Sequence, residues 1–189
     1  MTTFRRGFKT WCESTALQYR TALRIDAAEP LPALKLAAHI GVRVIGVEQV
    51  PDLSQKALAQ LTKGDPDSWS GLLVAHRGIN LVVINTTHSA GRQSSSLMHE
   101  CSHVILNHKP AQALQSPGGI LISSYDRQQE DEADWLGGAL LLPRVALLKI
   151  AQQGPNYSEH TRDYGVSADM LRMRLDLTGV SIQMRRRAS

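Results

Sequence analysis

Residues 135–142 read WLGGALLL and are followed by Pro143. A helix made of these residues is apolar on every face, so it has to be buried on several sides. Gly137 and Gly138 carry no Cβ, which lets a second helix approach closely. The chain must therefore wrap other elements around this segment. Upstream, Asp126 with Gln129 three residues later resembles a capping box and predicts a helix start near residue 127. Pro143 sets its end. With 189 residues, 42% of them hydrophobic and only 5% aromatic, the chain can bury one real core built mainly of Leu, Val, Ile and Ala.

The other elements follow from local pattern. Residues 5–24 and 31–40 read as helices, the second closed by Gly41. Residues 42–47 (VRVIGV) read as a strand, and 53–62 as a helix ended by KGDPDS. The stretch 69–87 reads as two strands turned at Gly78, the second well buried. A polar loop, HSAGRQSSS, then offers serine N-caps to a helix that must stop before Pro110. Residues 111–124 read as irregular around Pro117-Gly118-Gly119. A helix is predicted from 143 to about 153, closed by Gly154, and two short helices over 158–177. The expected division is a core with its N-terminal helices over 1–154 and a helical extension with a basic tail over 155–189.

The serine-capped helix carries SLMHECSHVILNH, residues 96–108. Each helical residue advances about 100°, so His99 and His103 differ by only about 40° and project from one face. Both imidazoles can reach one metal ion. Glu100, about 100° round from His99, is placed to hydrogen-bond a metal-bound water rather than to join the ligands. This is the H-E-x-x-H geometry of two ligands and a general base. Taken alone it also fits a helix with two incidental histidines. Cys101, about 200° round, points to the back of the helix and reads as a core residue. A catalytic zinc needs a third protein ligand. Lys109 stands where the metzincins place a third histidine, which excludes that class. His108 reads as a helix C-terminal histidine favoured by the dipole, not as a ligand.

The alternative is a glutamate from a second helix, and EDEAD (130–134) supplies one. Glu130 and Asp134 are i, i+4 and share a face. The first can bind metal while the second holds a ligand histidine by its free ring N–H. Glu132, about 200° round from Glu130, faces elsewhere. The plainer reading is an acidic first turn that suits the helix dipole. Donor type makes Zn2+ the default ion, with Mn2+ or Fe2+ compatible with two histidines and one glutamate.

No apolar run approaches the ~20 residues that cross a bilayer, and the basic N-terminus lacks the apolar block of a signal peptide. The expected location is cytoplasmic, without membrane partners. Cys12 and Cys101 are accordingly expected as free thiols. The formal charge is +4, with Arg185–Arg187 near the end. Residues 159–179 allow a helix-turn-helix presenting Arg172 and Arg174 to DNA. The competing reading is a helical hairpin packed on the core, because Leu171, Leu175 and Leu177 need burial, and it makes direct nucleic-acid binding the weaker alternative.

Arg92 through Leu106 (R-x-x-x-x-L-x-H-E-x-x-H-x-x-L) and Glu130 through Pro143 (E-x-E-A-D-x-x-x-x-x-L-L-x-P) together resemble the ImmA/IrrE family of bacterial metallopeptidases. Residues 69–150 match best, and the opening helix and first strand are similar too. The resemblance implies an α+β, zincin-like fold: a small, mostly antiparallel sheet packed against the H-E-x-x-H helix. It implies His99, His103 and Glu130 as metal ligands and Glu100 as general base. It also implies a protein substrate, a helix-turn-helix transcriptional repressor. Ser102 keeps the small residue the family has before its second histidine. No transition-state-stabilising side chain matches; Tyr125, His160 and Tyr164 are the candidates. The rival to a peptidase is a metal-binding sensor or DNA-binding regulator that engages a repressor without cutting it.

Overall fold

The computed structural model of the chain describes residues 4–108, 112–116, 119–123, 126–154 and 157–188. In chain order the elements are α1 (Phe8–Ala22), α2 (Ala33–His39), β1 (Val42–Gly46), α3 (Gln55–Ala59), β2 (Gly71–His76), β3 (Ile79–Ile84), α4 (Ala90–Ile105), β4 (Gln112–Ser116), β5 (Gly119–Ser123), α5 (Arg127–Leu141), α6 (Arg144–Gln153), α7 (Tyr157–Tyr164), α8 (Ala168–Leu177) and α9 (Val180–Ala188). The fold is α+β with a zincin-like core. A three-stranded sheet has the order β1-β3-β2, with β1 parallel and β2 antiparallel to the central strand. Helix α4 packs on this sheet and against α5, and α5 packs in turn against α1.

The β2–β3 turn has positive φ at both Arg77 and Gly78, the pattern of a type I′ hairpin turn. Its strands bring Val82 and Ile84, both buried, under α4, which contributes Leu97, Met98 and Cys101 to the same core. The Ser89 hydroxyl caps α4 by accepting from the Arg92 N–H at 3.4 Å. Arg92 then ties the first turn of α4 to the segment leading into β2, donating to Asp67 at 2.5 Å and to the Ser70 hydroxyl at 3.1 Å. Cys12 and Cys101 are both free and buried, and burial pushes each thiol up to about 12.

Helix α5 is buried from Leu136 to Leu141, as its uniform apolarity requires. The Asp126 carboxylate accepts from the Gln128 N–H at 2.9 Å and the Gln129 N–H at 3.4 Å. Gln129 answers through its amide to the Asp126 side chain at 3.0 Å, rather than to the backbone as in a full capping box. A Cβ on Gly137 would stand 3.4 Å from the His99 nitrogen and 3.5 Å from the Met98 carbonyl. The two helix backbones meet at this point. Gly137→Ala should therefore be tolerated, since it adds one ordinary contact and gains helix propensity of about 1 kcal/mol. Gly137→Val should force α5 off α4 and cost about 1–3 kcal/mol. Urea unfolding of the two variants measures the difference.

Several elements differ from the sequence reading. Residues 31–40 give a helix only from Ala33, because Pro32 is its extended N-cap. Helix α3 stops at Ala59 and continues as a π turn to Gly64. The segment read as irregular holds an antiparallel pair, β4 with β5. The basic end forms α9, whose Val180 is buried and whose Met184 packs against the core. Leu171 and Leu175 are buried as the hairpin reading expects, but Leu177 is half exposed. Arg174 is 1% exposed and so presents nothing to DNA, while Arg172 pairs with Asp169 at 2.7 Å. No helix of the described residues is long and apolar enough to cross a membrane.

Candidate metal centre

Helix α4 projects His99 and His103 from one face, and the facing side of α5 projects Glu130 and Asp134. Glu130, Asp134 and Gly137 are spaced i, i+4, i+7 and share one side of α5. The close approach at Gly137 thus brings both carboxylates to α4. One ligand atom from each of His99, His103 and Glu130 lies within 4.8 Å of the others. His99 Nε2 is 3.0 Å from His103 Nε2 and 3.1 Å from Glu130 Oε2. His103 Nε2 is 3.6 Å from Glu130 Oε1. The three side chains are partly buried, at 25%, 15% and 31% exposure in that order.

His99 Nδ1 is 2.8 Å from Asp134 Oδ1. A carboxylate only accepts, so the ring carries an N–H on Nδ1, while Nε2 faces Glu130 and His103. Burial pulls the His99 imidazole down. The Asp134 hydrogen bond and the charges of Glu100, Asp134 and Glu130 outweigh it, and the net shift is upward. His103 goes the other way, to about 4, because it is buried and stands beside His99 and His108.

Glu100 lies off the His99–His103 face, as the helix geometry requires, and reaches toward β2. Its Cγ and Oε1 lie 3.5 Å from where a Cβ on Gly71 would be. Burial pushes its carboxyl up. The His99 charge and the Leu73 backbone N–H, which donates to it, pull it back, and the net direction is upward. The carboxylate is therefore held between the histidine pair and the backbone of β2, an edge strand of the sheet.

The pattern of the IrrE N-terminal-like domain, Peptidase M78, matches residues 59–176, more than half of the chain. The chain belongs to the Peptidase M78 family. The stretch matched carries α4, α5 and all five of these groups, His99, Glu100, His103, Glu130 and Asp134. A solved structure titled Mycobacterium tuberculosis transcriptional regulator is similar in fold, with a TM-score of 0.54 at 15% identity. The likeness covers 88% of this chain and 46% of that one, so the chain spans under half of its length. Among curated proteins, none matches in sequence.

The remaining candidates separate. Tyr125 lies outside the described residues. Tyr164 is buried and donates its hydroxyl to the Ala28 carbonyl at 2.5 Å, so that group is committed to the α1–α2 connection. His160 sits on α7, which borders the first turns of α4, more than a full helical turn from His99. Two groups that sequence reading set aside do join the cluster. The His108 ring is 3.0 Å from His103, Nδ1 to Nδ1, and 3.3 Å from Glu132 through Nε2. Helix α4 ends at Ile105, so His108 is not a helical residue at all. Asn107 takes a left-handed φ of 53° and turns the chain back toward the histidine face. Glu132, which its helical angle sets apart from Glu130, reaches His108 at 3.3 Å.

Proposed function

We propose that this chain is a metal-dependent endopeptidase. His99, His103 and Glu130 hold one divalent cation, Glu100 is the general base, and Asp134 orients His99. The spacing of the three donor atoms carries this reading. Ligand atoms at 2.0–2.2 Å around a tetrahedral ion stand about 3.3–3.6 Å from one another. Here His99 Nε2 stands 3.0 Å from His103 Nε2 and 3.1 Å from Glu130 Oε2, while the other carboxylate oxygen, Oε1, is 3.6 Å from His103 Nε2. Two imidazole nitrogens and a carboxylate held this close repel unless a proton or cation lies between them. Donor type favours Zn2+, with Mn2+ or Fe2+ fitting the same set.

A bound ion would polarise the scissile carbonyl and bring the pKa of a coordinated water toward ~7. Glu100 takes the proton of the attacking water on its carboxylate and returns it to the leaving amine. The substrate lies extended along β2, the edge strand whose Leu73 N–H already meets Glu100, and is held through its backbone. Asp134 keeps the His99 proton on Nδ1 throughout. The substrate we propose is a helix-turn-helix repressor. The family resemblance supports it, and the structural neighbour is a transcriptional regulator. Such a target places the reaction in the cytoplasm. We further take residues 1–154 as the catalytic body and 155–189 as a helical extension of it.

The test is direct. Purified chain is loaded with Zn2+ and incubated with a candidate repressor, with and without chelator. The expected result is a discrete cut that chelator abolishes and Zn2+ restores. Cleavage that persists in Glu130→Gln with no bound metal would overturn the reading.

A further inference from the structure

We infer that His108 and Glu132 form a tether that positions His103, a second support for the metal centre alongside Asp134 and His99. The inference rests on the ligand set proposed above. It starts from the end of α4. The His108 N–H bonds to the His103 carbonyl at 3.0 Å, and the Asn107 N–H to the Val104 carbonyl at 3.1 Å. With Asn107 left-handed, this is a Schellman motif. That motif brings the second residue past the cap back over the third residue from the helix end. Here those two residues are His108 and His103. An asparagine tolerates the left-handed φ that the reversal needs.

The tautomers then follow in sequence. Glu132 Oε2 can only accept, so His108 Nε2, 3.3 Å away, carries hydrogen. Neutral His108 is left with a lone pair on Nδ1, which faces His103 Nδ1 at 3.0 Å. His103 Nδ1 must therefore donate. Its own lone pair falls on Nε2, the atom that stands 3.0 Å from His99 Nε2. The opposite assignment sets a His108 lone pair against the Glu132 carboxylate. Glu132 is itself fixed, because its other oxygen accepts from the Gln128 amide at 3.1 Å. The side chains of His108 and Glu132 are 7% and 15% exposed, so water competes little for these bonds.

The tether does for His103 what Asp134 does for His99: it fixes the ring's rotation and leaves Nε2 free to bind. His108 and Glu132 are positioning residues and do not touch the reacting atoms. Partners of this kind typically change metal affinity about 10–100-fold.

The test is a Zn2+ competition titration against a chromogenic chelator on the full chain. Cobalt absorption spectra report the geometry of the ligand set. Glu132→Leu and His108→Phe remove the acceptor at each step while keeping bulk. Each is expected to weaken Zn2+ about 10–100-fold. The double variant should be no weaker than His108→Phe, because Glu132 acts only through His108. Glu132→Gln keeps an acceptor oxygen and should recover most of the affinity. Unfolding of the metal-free chains checks that each variant folds, and if His108→Phe does not, Glu132→Leu decides. Wild-type affinity in Glu132→Leu, with weakened binding in Glu130→Gln, overturns the tether alone. Wild-type affinity in Glu130→Gln and His99→Ala as well means that the ligand set itself is wrong.

Discussion

Glu100→Gln is expected to bind metal like the wild type and to lose about 10²–10⁴ in cleavage rate, the usual cost of removing a general base. The side chain is off the face that carries His99 and His103, so the ligand set is untouched. The fold should also survive, because the glutamine oxygen can still accept from the Leu73 N–H. What disappears is the only role an amide cannot fill, taking a proton and giving it back. Repressor binding should persist, since contacts along β2 do not involve the carboxylate. Metal content, co-purification with the repressor and cleavage are measured on both proteins. If wild type and variant relieve repression equally, with no cut repressor from either, the chain is a sensor and not an enzyme.

The parts of this site that could be read from sequence are those whose geometry is local. His99, Glu100 and His103 lie within two turns of one helix, and helical rotation alone assigns their directions. Glu130 and Asp134 are similarly fixed relative to each other. Their place opposite α4 was foreshadowed by the apolar run and the glycine pair that follow them. The His108 tether was not legible, because it depends on how a helix ends. An ideal helix carried on to residue 108 places that ring well round from His103, and only the left-handed Asn107 brings it back. Strands β4 and β5 were missed for a related reason. Each is five residues long and pairs only with the other, so Pro117 and the glycines after it outweighed a weak strand signal. Helix α9 was hidden by its charge: Val180 and Met184, spaced i, i+4, are its few core-facing residues beside a run of arginines.

Least legible of all are the two arginines that close α5. Pro143 follows the C-cap residue Leu142, and the last carbonyls of a helix have no partner within it. Arg20, fully buried, donates to the Leu141 carbonyl at 3.3 Å, and Arg174 to the Leu142 carbonyl at 3.1 Å. Cations at a helix C-terminus are favoured by its dipole. In sequence both are ordinary arginines on amphipathic helices. Arg174 is compensated by Glu13, whose Oε1 accepts from Nη2 at 2.7 Å. Glu13 Oε2 accepts from the Arg144 backbone N–H, also at 2.7 Å, so one carboxylate joins α1, the start of α6 and α8.

Glu13→Ala is therefore expected to be among the most destabilising single changes outside the apolar core. It leaves a guanidinium that is 1% exposed without its counter-charge. Breaking a buried pair from one side costs about 3–5 kcal/mol. For a chain of this size that lowers Tm by roughly 6–20 °C. Removing both charges is a different matter, because the desolvation cost goes with them. Glu13→Gln with Arg174→Met should recover much of the loss. The orphaned Leu142 carbonyl and the weakened Arg144 contact keep it from full recovery. Thermal unfolding of the two single variants and the double one reads the coupling. Additive losses would mean that the pair is not what holds α8 to the end of α5. Strong coupling would mean that the helix bearing Glu130 and Asp134, the candidate site's second helix, is anchored at its C-terminal end by a charge pair.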